Sequence, residues 1–108
     1  MGNEMAKGIL YVETHVDPAH ADAYHEWYNG THLKEVCNLD GFVSARRFEP
    51  LEGDGSFIAI YEIEADTVEQ AKDTLSAFMK SGDMSMPVGI DASKPFAIKF
   101  FREIASHG

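Results

Sequence analysis

Hydrophobic and polar positions change their period several times along the chain, and each change predicts an element. From Gly8 to Val16 (GILYVETHV), Leu10, Val12, Thr14 and Val16 alternate with Ile9, Tyr11, Glu13 and His15, the two-residue period of a strand. Asp17-Pro18 then supplies a turn and a helix start, because Asp accepts from the free amides of a first turn and Pro is tolerated at the first helical position. A helix is expected to about Asn29. Ala19, Ala23 and Trp27, with Tyr24 and Tyr28 one step round, make its apolar stripe, and Gly30 is expected to end it. His32 to Asn38 suits a short extra turn before Asp40-Gly41.

The second half repeats the strand and helix periods. Phe42 to Phe48 (FVSARRF) reads as a strand with Phe42, Ser44, Arg46 and Phe48 on one face and Val43, Ala45 and Arg47 on the other. The turn-rich LEGDGS joins it, as a hairpin, to a third strand from Phe57 to Glu64. Thr67 with Gln70 resembles a capping box, after which Val68, Ala71, Leu75, Phe78 and Met79 recur at helical spacing to about Lys80. Ser81 to Lys94 is the longest irregular stretch, of a length that suits a binding loop, and Phe96 to Ile104 reads as a fourth strand. The order is β-α-β-β-α-β, the split pattern of an α+β, ferredoxin-like domain with an antiparallel sheet and helices on one face. Its other face, carrying residues such as Phe42, Phe48, Phe96 or Phe100 depending on the register, is expected to be covered by a second copy, giving a homodimeric α/β barrel.

Length and charge narrow the picture. One domain over residues 1–108 is expected, with residues 1–7 as a flexible N-terminus and no apolar run long enough to span a bilayer. The opening MGNEMAK lacks the pattern of a signal peptide, and a single cysteine, Cys37, cannot form an internal disulfide, so a cytoplasmic setting is expected. Eighteen acidic against nine basic residues leave a net charge of −9, with Arg46-Arg47 the only adjacent basic pair, which argues against a nucleic-acid partner. No membrane partner is expected.

Functional side chains are densest in HEWYNGTHLKEV, from His25 to Val36. The run Tyr24-His25-Glu26-Trp27-Tyr28-Asn29-Gly30-Thr31-His32-Leu33, followed by Gly41-Phe42 and Ala45-Arg46-Arg47, resembles the EthD-like branch of the dimeric α/β-barrel superfamily. Trp27, Tyr28 and His32 stand where such proteins carry two aromatics and then a His. The resemblance implies a homodimer with one cleft per subunit for a small, often aromatic or lactone-like molecule. Its members include methylmuconolactone isomerase-like enzymes, proteins of polyketide and ether metabolism, and many without an assigned activity.

The side chains themselves admit two readings each. An imidazole at His32 can move a proton near neutral pH without a cofactor, or it can cap the helix end or hydrogen-bond a backbone carbonyl. Tyr28 can polarise a substrate carbonyl or belong to the core, and it shares a helical face with His32 only if the helix survives Gly30. Trp27 is core or pocket wall. Arg46 can grip a carboxylate or enolate with its forked donors or pair with an acid such as Glu62. Tyr11 and Tyr61 can line the same cavity or simply pack. The spacings of His20, His25 and His32 do not match HExxH, no phosphate-binding glycine loop occurs, and no cofactor or metal is expected. The leading expectation is a cofactor-independent isomerase, cyclase or lyase for a small cyclic or aromatic-derived metabolite. His32 would be general acid/base, with Tyr28 or Arg46 stabilising negative charge. The competing expectations are a noncatalytic small-molecule binding or accessory protein and a purely structural dimer.

Overall fold

A computed structural model describes residues 5–108. Its elements are β1 (Ala6–His15), a 3₁₀ turn (Pro18–His20), α1 (Ala21–Trp27), a π-helical turn (Tyr28–His32), α2 (Leu33–Cys37), β2 (Phe42–Phe48), β3 (Ser56–Ala65), α3 (Val68–Ser81) and β4 (Ala97–Arg102). Ala6 and Lys7, expected within a flexible N-terminus, are strand residues opposite Ala65 and Glu64; residues 1–4 of that segment lie outside the described residues. The four strands form one antiparallel sheet in the order β2-β3-β1-β4, so the chain is α+β and compatible with a ferredoxin-like arrangement.

The sheet's two faces separate by the two-residue period. On one, Leu10 of β1 lies between Tyr61 of β3 and Phe100 of β4, and these pack with Tyr24, Tyr28, Val36, Val68, Ala71 and Leu75 of the helices to make the core. The opposite face carries Ile9, Tyr11, Ile58, Ile60, Arg46, Phe48 and Phe101, with Phe48 and Phe101 exposed.

Two local features depart from the sequence expectation. Gly30 does not end the first helix. Residues 21–37 run on as one helical rod, because the backbone through Tyr28–His32 takes up a wider π-helical turn instead of breaking, and its flanking residues keep right-handed helical angles. The pairing of β2 with β3 slips between Phe42 and Ser44. This bulge turns Phe42 into the core opposite Ile63 and leaves Ala45 and Arg47 on the helix side, while Arg46 and Phe48 face away; Phe42 and Arg46 therefore do not share a face. Caps behave as the sequence indicates, with Asp17 accepting from the Ala19 amide and Thr67 from the Gln70 amide, each at 3.1 Å.

Candidate functional site

The long segment between α3 and β4 folds back over the helix side of the sheet and helps to wall a cavity of about 460 Å³. The segment is pinned in its middle. The Asp17 amide donates to the Gly89 carbonyl, the Asp91 amide to the His15 carbonyl, both at 2.8 Å, and Val16 bridges to Ile90. Gly89 sits against Tyr24 with φ of +75°, where a Cβ would lie 2.7 Å from the Tyr24 Cβ, so the chain passes there only because the residue is glycine. Apolar side chains dominate the cavity wall: Val12 and Ile98 from the sheet, Trp27 and Tyr28 from the helical rod, Met84 and Ile90 from the overlying segment.

His32 stands in this wall. Its ring stacks on Trp27 at 4.6 Å and meets Tyr28 edge-on at 5.2 Å, an i,i+4 contact that exists because the rod continues through Gly30. Nδ1 lies 2.9 Å from Glu35 Oε1, with both side chains largely buried. Glu35 in turn accepts from the Ser85 hydroxyl at 2.7 Å and from the Ser85 amide, and Ser85 Oγ accepts from the Trp27 indole N–H at 2.8 Å. The chain Trp27-Ser85-Glu35-His32 therefore ties the helical rod to the overlying segment.

This network fixes the chemistry available to His32. Burial pushes the Glu35 carboxyl up, but the bonds from His32 and Ser85 outweigh it and hold Glu35 below its ordinary value. An ionised carboxylate only accepts, so the Nδ1 of His32 carries the proton and Nε2 keeps its lone pair. Burial lowers the pKa of His32, with Glu35 opposing, and the imidazole is held neutral near pH 7, in the form that can take up a proton. Tyr28 is a different kind of group. Burial, reinforced by Tyr24, pushes its hydroxyl up to about 12, so it stays protonated.

The structure brings Trp27, Tyr28 and His32 of the expected set to one cavity and places the other three elsewhere. Arg46 lies on the opposite face of the sheet, over the Phe48 ring at 5.5 Å, because of the bulge in β2. Tyr11 is on that same far face, donating to Glu13 at 2.7 Å and edge-on to Phe101, since odd positions of β1 point away from the helices. Tyr61 is fully buried beneath the helical rod. Burial, with Tyr28 close by, raises the pKa of its hydroxyl, although that hydroxyl makes no hydrogen bond of normal geometry among the described residues. The inward arginine is Arg47. Its guanidinium lies 4.4 Å from the Tyr28 ring centroid and 5.3 Å from that of Tyr24, and its Nη1 donates to Asn29 Oδ1 at 2.8 Å and to His25 Nδ1 at 3.2 Å.

Glu35, Ser85, Thr14 and His15 belong to the site without having been singled out from the sequence. Glu35 had a readable signal, the i,i+3 spacing from His32; Ser85 had none. His15 lines the cavity and its Nδ1 donates to the Pro95 carbonyl at 3.1 Å. Among the described residues no group of three or more His, Cys, Asp or Glu side chains is placed to hold a metal ion, and no helix is long and apolar enough to cross a membrane. No protein-family model matches the chain, and no curated protein matches its sequence.

Proposed function

We propose that this protein is an EthD-like member of the dimeric α/β barrels, acting as a cofactor-independent isomerase, cyclase or lyase on a small cyclic or aromatic-derived metabolite. The observation that carries the reading is His32. It sits in the wall of an apolar cavity, neutral, oriented through Nδ1 by Glu35, with no hydrogen bond at Nε2 among the described residues. In that role Nε2 removes a proton from the bound molecule and returns it elsewhere, while Glu35 steadies the imidazolium formed in between. The unpartnered apolar face of the sheet supports a homodimer, and the single cysteine suits a reducing, cytoplasmic setting.

A second reading, a noncatalytic binding or accessory protein, draws on the placement of Arg46, whose guanidinium does not reach the cavity to stabilise developing charge. Native mass spectrometry of the protein purified from cells, followed by incubation of any retained metabolite in deuterium oxide, separates the two. The enzyme reading expects deuterium to enter the metabolite with the wild type and not with His32→Ala, at similar affinity. A bound metabolite that takes up no deuterium and is not converted would leave the binder.

A further inference from the structure

Thr14 and Tyr24 form an isolated pair of hydroxyls, 2.7 Å apart, and neither has another hydrogen-bond partner among the described residues. Two hydroxyls sharing one hydrogen bond always leave one proton over, and the structure determines which. Tyr24 is fully buried, so an unbonded phenolic proton there would bear the cost of a buried unsatisfied donor. Thr14 lines the cavity. The lower-energy arrangement therefore has Tyr24 donating to Thr14, with the Thr14 proton turned toward the cavity. A donor that is itself accepting a hydrogen bond is also a stronger donor.

From this we infer that the Thr14 hydroxyl is the oxygen-binding group of the cavity and that the ligand is a small carbonyl compound, a ketone, ester or lactone, with a removable proton on the carbon next to its carbonyl. The inference rests on the proposed role of His32 and supplies the charge-stabilising group that Arg46 does not. The step balances without a co-reactant. The C–H bond adjacent to the carbonyl breaks, its proton passes to Nε2 of His32, and its electron pair becomes an enolate whose oxygen takes the Thr14 hydrogen bond. Return of the proton to the same carbon, or to a conjugated one, restores His32 and leaves the ligand's composition unchanged.

A matched pair of probes tests this: 1-indanone, which has the carbonyl and the acidic C–H, and indane, which has neither. Binding is followed by NMR titration and the bound ketone by its infrared carbonyl stretch. Thr14→Val is expected to weaken 1-indanone roughly three- to tenfold, the loss typical of one hydrogen bond, to raise the bound carbonyl frequency, and to leave indane unchanged. Thr14→Ser and Tyr24→Phe both keep the hydroxyl at position 14 and are expected to keep the preference for the ketone. Should Thr14→Val fail to fold, the wild-type infrared spectrum still decides, since a bound carbonyl at the frequency seen in hydrocarbon solvent would mean that no donor meets it. Equal losses for both probes, or an unmoved carbonyl stretch, overturn the inference while leaving the cavity as a binding site. Failure of both probes to bind the wild type overturns the cavity reading and this inference with it.

Discussion

Acid acts on His32 and Glu35 in the same direction. Burial depresses the pKa of His32 below its ordinary 6.5, so the native state binds fewer protons than the unfolded chain just below that pH, and stability falls as the pH is lowered through the window. Glu35, held below its ordinary 4.5, contributes stability that is complete above 4.5 and is lost as the pH falls through its native value. His25 adds to the first stage, because burial and the adjacent Arg47 lower its pKa as well. The thermal unfolding midpoint is therefore expected to be flat between about pH 7 and 8, to drop below about 6.5 and to drop again below about 4.5. His32→Gln should shrink the first drop without removing it. A midpoint unchanged between pH 8 and 5.5 would contradict this account. Arg47 makes a second prediction at this scale. It stacks on two tyrosines and bonds Asn29 and His25, so Arg47→Ala should cost about 2 kcal/mol in denaturant unfolding. Arg47→Lys should recover little, because a point charge cannot reproduce a planar group that stacks and forks.

At the scale of elements, the segment between α3 and β4 combines a rigid pin at Gly89 with a polar tie at Ser85. Gly89→Ala forces a Cβ toward Tyr24 in a left-handed backbone conformation and should destabilise the fold by roughly 2 kcal/mol or more, seen in the unfolding midpoint. Ser85→Ala should act locally instead. It removes the hydroxyl's bonds to Glu35 and Trp27 and keeps only the backbone amide's bond to Glu35, so amide exchange should quicken in residues 83–88 while global stability changes by only about 1 kcal/mol. Emission from Trp27, the single tryptophan, should shift as its indole N–H loses its partner. The same elements explain what was legible in the sequence. Strand and helix periods located β1, β3, α3 and β4 to within one or two residues, because each buries one face and the pattern records it. Caps at Asp17 and Thr67 were legible because their partners are two and three residues away. The bulge at the start of β2 was not, since FVSARRF alternates equally well in either register, and that one slip exchanges the roles of Arg46 and Arg47. Nor was the bond from Ser85 to Glu35, which joins residues fifty positions apart through a segment without periodicity.

For the whole molecule, the consequential surface is the sheet face turned away from the helices. Ile9, Ile58 and Ile60 lie in its centre across β1 and β3, flanked by Phe48 and Phe101 at the two edge strands, so an apolar stripe crosses all four strands. Arg46, Glu62, Glu13 and Lys99 also stand on this face, which would give a second copy both an apolar centre and charges of each sign to set its orientation. Under the proposed barrel, two such faces meet, and sedimentation equilibrium should return twice the mass of one chain. Ile60→Lys puts a cation into the middle of the stripe, opposite Tyr11 and beside Arg46, where pairing of the faces would desolvate it next to a like charge. The variant should sediment as a monomer yet keep its helical circular-dichroism signal, since Ile60 takes no part in the core beneath the helices. Its effect on the cavity is the informative part. The cavity lies on the helix side of the sheet, across from Ile60, so a monomeric Ile60→Lys that still binds 1-indanone would show each subunit's site to be self-sufficient. Loss of binding together with the dimer would mean that the second copy holds the site in shape, and a wild type that is already monomeric would remove the barrel while leaving His32, Glu35 and the cavity in place.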